Sequence, residues 1–404
     1  MPGPGPVLAI DIGTAKIAAL LARQGDSGPQ FLGVGRVASS GVRRGQVLDI
    51  EAAAEAIASA VRRAGRGAER APAWVVAGGP HFSAINNRAS VTITRASREI
   101  TSGDVREALR AASEVSLPDG FEIVHIIPSG FAVDGMAGVS QPAGLSGANL
   151  EAAVHIITAP SNALDNIEKC VEAAGLKLED FVYAPIACAE ATLSAAERQA
   201  GAVAIDIGAA TTDFMLFVDG GPVSSGCLPV GGRQIAQDLS IGLRVPLDVA
   251  ESVATASAVA TAALTKGEGP VLVRDSAGGQ RKVPRMAVAE IVEERLLEIF
   301  SLVKTQIAKT RAVLAGGAVL SGGASQIPGT ALVAEHVLGC PVRVFGAAEV
   351  GVLPQLGDAS LAAVMGGARF ALLQAARREE ASRRPGFWKS LRGRMRHFKR
   401  AVWR

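Results

Sequence analysis

Val7-Leu-Ala-Ile-Asp11-Ile-Gly13-Thr14-Ala15-Lys16 and Val203-Ala-Ile-Asp206-Ile-Gly208-Ala209-Ala210-Thr211-Thr212-Asp213 are two copies of one phrase, with aspartates 195 residues apart. Each is a short apolar β-type run ending in Asp-x-Gly and small or hydroxyl residues, and a second apolar run follows (17–21; 214–218). The pattern predicts strand, tight turn, strand. Small residues at such a turn let backbone N–H groups approach an anion closely. An Asp at the end of the preceding strand can hold Mg²⁺ through water or orient an attacking water. One Asp-x-Gly alone is usually an ordinary hairpin turn. Two copies, each opening a half of the chain, predict a duplicated α/β fold whose lobes grip one nucleotide.

Later glycine pairs suit the adenosine side of that cleft, where backbone near a base or ribose must carry no bulk. Gly231-Gly232 precedes a helical pattern (Gln234, Ile235, Leu239), and Ser321-Gly322-Gly323 ends an apolar run. Either pair alone also reads as a helix cap or loop. Glu251, in a Val/Ala/Ser-rich helical stretch over 246–263, meets a ribose hydroxyl if that helix borders the cleft and water if it does not.

The 404 residues are 49% hydrophobic and 20% charged, enough for two to four folding units of about 150 residues. No apolar run reaches the ~18 residues of a membrane span, and Met1-Pro-Gly-Pro-Gly-Pro6 lacks the basic start of a secretory signal. Four scattered cysteines without a C-x-x-C pair fit a reduced compartment better than a zinc site. The five histidines lack metal-ligand spacing, and no Ser/His/Asp or Cys/His set stands out. His125 and His155 lie in apolar β-type runs and read as core or platform residues.

Between the halves, Val91-Thr-Ile-Thr94 alternates like a strand and Thr101 or Ser102 can cap a helix bearing Val105, Leu109 and Ala112. Residues 121–128 read as a strand again, so this region is a small α/β insertion, a platform for partners or simple padding. Residues 266–284 read as an exposed hairpin and loop. Residues 285–308 are helical by period, with Ile291, Leu296, Ile299, Leu302 and Val303 inward. Arg295 and Lys304 face either a partner's acidic peptide or solvent.

The net charge of +3 describes neither part of the chain, because residues 381–404 hold nine Lys/Arg and no acid, leaving 32 basic and 38 acidic residues in 1–380. Residues 374–386, charged, without an apolar stripe and ending in Pro385-Gly386, read as a tether. Beyond it, at about 100° per residue, Phe387, Trp388, Leu391, Met395, Phe398 and Val402 share an arc of roughly 100°. Lys389, Arg392, Arg394, Arg396, Lys399 and Arg400 lie outside the arc, and Trp403 is the segment's second tryptophan. A helix this short and charged suits the headgroup plane of a bilayer. Each Lys/Arg near an anionic leaflet contributes about 1 kcal/mol, and each large buried apolar side chain roughly 1.5–3 kcal/mol. Nucleic acid or a groove on a partner protein would also suit a basic amphipathic helix. Tryptophan and phenylalanine on its apolar side favour lipid, so no nucleic-acid partner is expected.

These residues resemble the actin/heat-shock-chaperone/sugar-kinase ATPase superfamily and, within it, the FtsA family of bacterial cell-division proteins. Asp11, Gly13, Thr14, Ala15 and Lys16 look like the family's first phosphate loop. The phrase Asp206-Ile-Gly208-Ala209-Ala210-Thr211-Thr212-Asp213 looks like its second, with Asp206, Gly208, Ala209, Ala210, Thr211 and Thr212 as the nucleotide contacts. Gly231, Gly232, Glu251, Ser321, Gly322 and Gly323 fall where the family contacts adenosine. His125-Ile-Ile-Pro128, Pro142-Ala-Gly-Leu-Ser-Gly147 and Val154-His-Ile-Ile-Thr158 are similar to the family's inserted subdomain 1C, and residues 166–176 to the return into the first lobe. Residues 281–295 resemble the family helix that contacts FtsZ.

The resemblance implies an α/β, actin-like duplicated two-lobe ATPase fold with an inserted FtsA-type subdomain and a C-terminal amphipathic helix. The first lobe is expected over 1–81 and 158–197, the insertion over 82–157, and the second-lobe core over 198–222 and 307–373. The outer subdomain is expected over 223–306, the linker over 374–386 and the membrane helix over 387–404. ATP and water-held Mg²⁺ are the implied cofactors, with Asp206 the one catalytic candidate and hydrolysis weak at most. The implied partners are the FtsZ C-terminal peptide (through Arg285 and Arg295), further copies in a filament, anionic lipid and later division proteins. The implied location is the inner face of the cytoplasmic membrane at the septum.

There are departures. Ala209-Ala210 stands where the family's second loop usually has Gly-Gly, which adds two methyls to the phosphate site. Ala254 stands where many relatives carry lysine. Two other readings remain open: a PilM-like pilus-assembly adaptor, which lacks the terminal helix, and a sugar- or acid-kinase phosphotransferase, for which no base or substrate pocket is apparent.

Overall fold

In the computed structural model, which describes residues 5–26, 28–275, 279–346 and 354–383, β1 (Val7–Ile12) and β2 (Lys16–Gly25) form an antiparallel hairpin around the first Asp-x-Gly turn. There follow β3 (Gly28–Ala38), the short pair β4 (Val42–Arg43) and β5 (Gln46–Val47), α1 (Ile50–Arg63) and β6 (Ala73–Ala77). Asp49 caps α1 by accepting from Ala52 N at 3.0 Å, and the helix buries Ala53, Ile57, Ala60 and Val61.

The chain then leaves this lobe for β7 (Ser83–Thr92), α2 (Ser102–Ser113), β8 (Phe121–Val133), β9 (Met136–Val139) and β10 (Asn149–Pro160), and returns through α3 (Ser161–Ala173), β11 (Leu178–Tyr183) and α4 (Ala184–Thr192). The second lobe holds α5 (Ala195–Ala200), β12 (Ala202–Ile207), β13 (Thr212–Val218), β14 (Gly221–Leu228), α6 (Gly232–Leu243) and α7 (Leu247–Ala256). It continues with β15 (Val271–Arg274), β16 (Gln280–Val283), α8 (Arg285–Ala308), β17 (Gly317–Ser321), α9 (Thr330–Leu338) and β18 (Val342–Val344). Last comes α10 (Ala362–Arg383), which packs back on α4 and β1 of the first lobe.

The sequence repeat is a repeat of topology. The first sheet runs β11-β6-β1-β2-β3 and the second β18-β17-β12-β13-β14. In each, an antiparallel meander opens on the Asp-bearing strand and two parallel strands follow on its other side. Parallel strands need covered faces, and accordingly β1, β6, β12 and β17 are almost continuously buried.

The insertion is a four-stranded antiparallel sheet, β7-β10-β8-β9, with α2 across it and its own core around Ile100, Leu109, Leu150 and Ile156. Thr101 and Asp104 form the capping box of α2. Polar contacts join this unit to both lobes. His125 Nε2 accepts from Tyr183 N (3.0 Å) on the first lobe. On the second-lobe side, Ser129 Oγ donates to Pro222 O (2.6 Å) and Asn86 Nδ2 to Val223 O (2.8 Å). His155, 1% exposed, sits between Asn86 Oδ1 (2.6 Å) and Ser225 Oγ (2.8 Å). Gly221 makes this joint possible, since a Cβ there would lie 1.8 Å from Ser129 O.

Burial holds His155 down to about pKa 4, and one donor plus one acceptor is what a neutral imidazole needs. Its contribution is therefore complete above pH 6.5 and is lost as pH falls toward 4, about 3 kcal/mol in all. Urea unfolding from pH 7.5 to 4.5 is expected to show wild type falling toward His155→Gln. Parallel profiles for the two proteins would disprove this role.

Three details differ from the sequence reading. Residues 374–383 continue α10, and Gln374 is buried. Arg378 pairs with Asp180 (2.8 Å) and Glu179 and lies over the Trp74 ring, so α10 remains docked where a tether was expected. In α8, Leu302 is 39% exposed and Ile291 only partly buried, while Val288, Val292 and Phe300 join the core. Finally, Ala359–Glu379 is long and apolar enough to cross a membrane by length and composition, although no such run was expected. In this fold 78% of its most apolar window is buried inside the protein. Residues 387–404, with Phe387, Trp388, Lys389, Leu391, Arg392, Met395, Arg396, Phe398, Lys399, Val402 and Trp403, lie outside the described residues.

Candidate nucleotide cleft and partner surface

Both Asp turns close by the same hydrogen bond: Gly13 N donates to Lys16 O (3.0 Å) and Gly208 N to Thr211 O (2.9 Å). Arg44 N donates to Thr14 Oγ1 (2.9 Å), and Ser39 N to Ala15 O, so the first turn is braced from outside the hairpin. The second turn is braced by the start of α6, where Gly232 N donates to Gly208 O (2.8 Å) and Arg233 N to Ala209 O (2.7 Å). Thr212 Oγ1 donates to Val230 O (2.8 Å), and the Ala210 methyl is packed away at 5% exposure. A Cβ on Gly231 would lie 2.6 Å from Gly208 O. The pair Gly231-Gly232 thus belongs to the second turn as much as to any adenosine surface.

The turns bring Asp11, Asp206 and Lys16 into one electrostatic neighbourhood. Burial raises Asp11 to about pKa 6, relieved by Lys16 and aggravated by Asp206. Burial also raises Asp206, against which work a hydrogen bond from Cys188 Sγ (3.0 Å), the charge of Lys16 and a bond from Ser321 Oγ (3.1 Å). Lys16 is held below the usual lysine range, chiefly by burial, while Asp11 and Asp206 oppose that shift. Its ammonium donates to Ser360 O.

Ser321 ends β17 beside this group, and Gly322 and Gly323 follow it. Gly322 has φ +88°, and a Cβ there would lie 2.4 Å from both Asp206 Oδ1 and Ile207 O, so glycine is required on steric and conformational grounds. Glu251 is exposed on α7, and no described contact connects it to either turn. Arg285 is spent inside the chain, donating to Ser257 O (2.6 Å) and Gly269 O (3.3 Å). Arg295 forms a two-pronged pair with Asp238 of α6 (2.6 and 3.1 Å) and a second pair with Glu298.

Two acidic groups beside the turns were not singled out as nucleotide contacts in the sequence, Asp213 being only the end of the second loop phrase. Asp213 stands opposite Asp206 in the β12–β13 register, where the first hairpin has Ala18 opposite Asp11. Its Oδ1 is buried without a hydrogen-bond partner among the described residues, and burial followed by the Asp206 charge raises it to about pKa 7. An acid with no counterpart in the other repeat was the available signal. Asp358 gave no local signal. It accepts from Arg36 of the first lobe and from Gln326 of the second, both at 2.9 Å. With Gly322 N donating to Ala359 O (3.0 Å) and Lys16 on Ser360 O, the 358–360 turn ties the lobes together.

Comparison with known proteins gives the lineage. The family model described as the SHS2 domain inserted in FtsA matches residues 79–158, and that for cell division protein FtsA matches 203–366. The chain is 33% identical over 345 residues to cell division protein FtsA of Pseudomonas aeruginosa, covering 84% of this chain and 82% of that one. It is 32% identical over 349 residues to that of Bacillus subtilis, covering 85% and 79%. In fold it is similar to a PilM–PilN type IV pilus biogenesis complex (TM-score 0.64, 17% identity, 92% and 98% covered). It is also similar to MreB5 of Spiroplasma citri bound to ADP (TM-score 0.57, 15% identity, 94% and 99% covered). The fold is α/β and actin-like with an SHS2 insertion, and the chain belongs to the FtsA family of cell division proteins.

Proposed function

We propose that this protein is an ATP-binding, actin-like adaptor of cell division. In this reading it polymerises, binds the C-terminal peptide of FtsZ and anchors the division ring to the inner face of the cytoplasmic membrane, where later division proteins join it. The observation that carries the reading is the meeting of the twin Asp turns, Lys16 and the 358–360 turn where the two lobes join. The similarity to an ADP-bound MreB5 supports nucleotide as the ligand of that junction.

The donor set fits a magnesium nucleotide. Asp213 Oδ1 lacks a partner, and the carboxylates of Asp11, Asp206 and Asp213 repel one another. A divalent cation would relieve both conditions. Asp11, Asp206 and Asp213 would hold it through water, since among the described residues no group of three or more His, Cys, Asp or Glu is placed to hold a metal ion directly. When bound, the cation would neutralise phosphate charge. Lys16 would exchange Ser360 O for phosphate oxygen, and the two turns would offer backbone N–H groups. ATP acts mainly as a ligand that favours the assembled state, which requires tighter binding to that state than to the monomer. Hydrolysis is weak at most in this reading.

Arg285 and Arg295 would shape the FtsZ site from behind, given their internal bonds. The exposed apolar residues Ile241 (77%), Leu272 (62%) and Met286 (53%) on the same subdomain are the better candidates for direct contact. The test is co-sedimentation of the full chain with anionic vesicles, with and without ATP and FtsZ. Wild type should pellet, bring FtsZ down, and bind better when assembled. Replacing Trp388 and Phe398 with Glu should lower vesicle binding at least tenfold while ATP binding stays intact. Unchanged pelleting would remove the membrane anchor from the proposal.

A further inference from the structure

We infer that an acidic partner peptide binds as an added strand along β14, in a cavity of about 960 Å³ between the inserted sheet and the second lobe. The turn residues 11–16 and 206–212 do not line this cavity, although Cys227 on its wall stands opposite Asp213 in the β13–β14 register. One wall is β14, the edge strand of the second sheet, so one side of it has no ladder neighbour. At its start the insertion occupies that side, through Ser129 on Pro222 O and Asn86 on Val223 O. From Ser224 to Leu228 the strand lines the cavity, with the Ser225 hydroxyl held by His155 Nε2 of the insertion (2.8 Å). Among the described residues, no main-chain hydrogen bond from any element other than β13 reaches this stretch. Ser224, Ser225 and Gly226 are small, which leaves room for a second backbone at the ~4.8 Å spacing of paired strands.

The charge of the walls selects the occupant. Lys309 and Arg311 after α8 are exposed cations on the lining, against one acid, Asp219, while Arg88 on β7 is paired with Glu151 (3.5 Å). Val313, 79% exposed beside them, offers an apolar contact. The chain's own basic residues 381–404 carry the wrong sign for this surface. An extended segment of another protein with two or more carboxylates and an apolar residue has the right backbone, charge and shape.

The test uses the full-length protein and three fluorescein-labelled octapeptides of one β-prone pattern: EVEVTVEV, its lysine counterpart KVKVTVKV, and EVEPTVEV with a central proline. In fluorescence anisotropy the acidic peptide should bind saturably, and both others at least tenfold more weakly. Lys309→Glu with Arg311→Glu, at exposed positions that should not disturb folding, should reverse the preference between acid and lysine peptides. A photo-crosslinker at Val313 should capture the acidic peptide. Equal binding of the acidic and basic peptides, equal binding of the proline peptide, or acidic binding unchanged by the double charge reversal would overturn the proposal. ATP and vesicle binding of the same variant should remain at wild-type levels, so failure here would be distinct from failure of the adaptor reading.

Discussion

Gly366→Val is expected to cost about 3 kcal/mol or more and to lower the thermal midpoint by roughly 4 °C or more, or to prevent folding altogether. The reason is the crossing of α10 over α4 at backbone contact. A Cβ on Gly366 would lie 1.6 Å from Ala187 O and 2.9 Å from Ala191 N, with no flexible side chain to yield. One residue on, a Cβ at Gly367 would lie 2.4 Å from Val76 Cγ2 in the first-lobe core. Gly366→Ala makes the argument sharper. Helix propensity alone would make it stabilising by about 1 kcal/mol, whereas the Ala187 contact makes it destabilising. Circular-dichroism melting decides: an alanine variant at or above the wild-type midpoint would show that α10 has room at this crossing.

The second large effect is expected at the paired acids. Asp206→Ala removes the carboxylate that receives Cys188 and Ser321 and faces Lys16. Magnesium-ATP affinity should fall ten- to a hundredfold, the equivalent of about 1.5–3 kcal/mol for lost interactions with a charged group. Asp213→Asn should weaken binding in the same direction but stabilise the nucleotide-free protein at pH 8. The folded Asp213 has its pKa raised from 3.8 to about 7. Its favourable contribution is present below pH 3.8 and is lost as pH rises through 7, so the charged form burdens the fold at pH 8. A midpoint that rises while ATP affinity falls separates loss of a ligand from general damage. If titration calorimetry gave wild-type affinity for both variants, the cleft would be misread.

The doubled phrase around Asp11 and Asp206 was enough to establish the duplicated lobes, because strand, turn and strand are local and each run carries its own periodicity. A helix cap at Thr101 or Ser102, the helix over 285–308 and two histidines in apolar strands were legible for the same reason. The partners of the turns were not. Asp358, Ser360 and Gln326 reach the cleft from far along the chain, and nothing in their own neighbourhood marks them. Asp213 was visible as an unmatched acid, but its burial and its unpaired oxygen depend on how β12 and β13 pair and on what covers them.

Residues 374–383 show the same division. Their charge pattern has no apolar stripe and reads as a tether, yet Trp74, Glu179 and Asp180 supply a docking surface that holds Arg378. Likewise, the free length of α8 fixed its helical state, while the internal pairs of Arg285 and Arg295 came from α6 and the 257–269 loop. Sequence by itself determined which segments are strands and helices, and where the tight Asp-x-Gly turns fall, since those depend on neighbours within a few residues. Which charges meet, which carboxylate oxygen goes unpaired and where β14 is left open were decided by tertiary structure, because burial and Coulomb energy depend on distances in space.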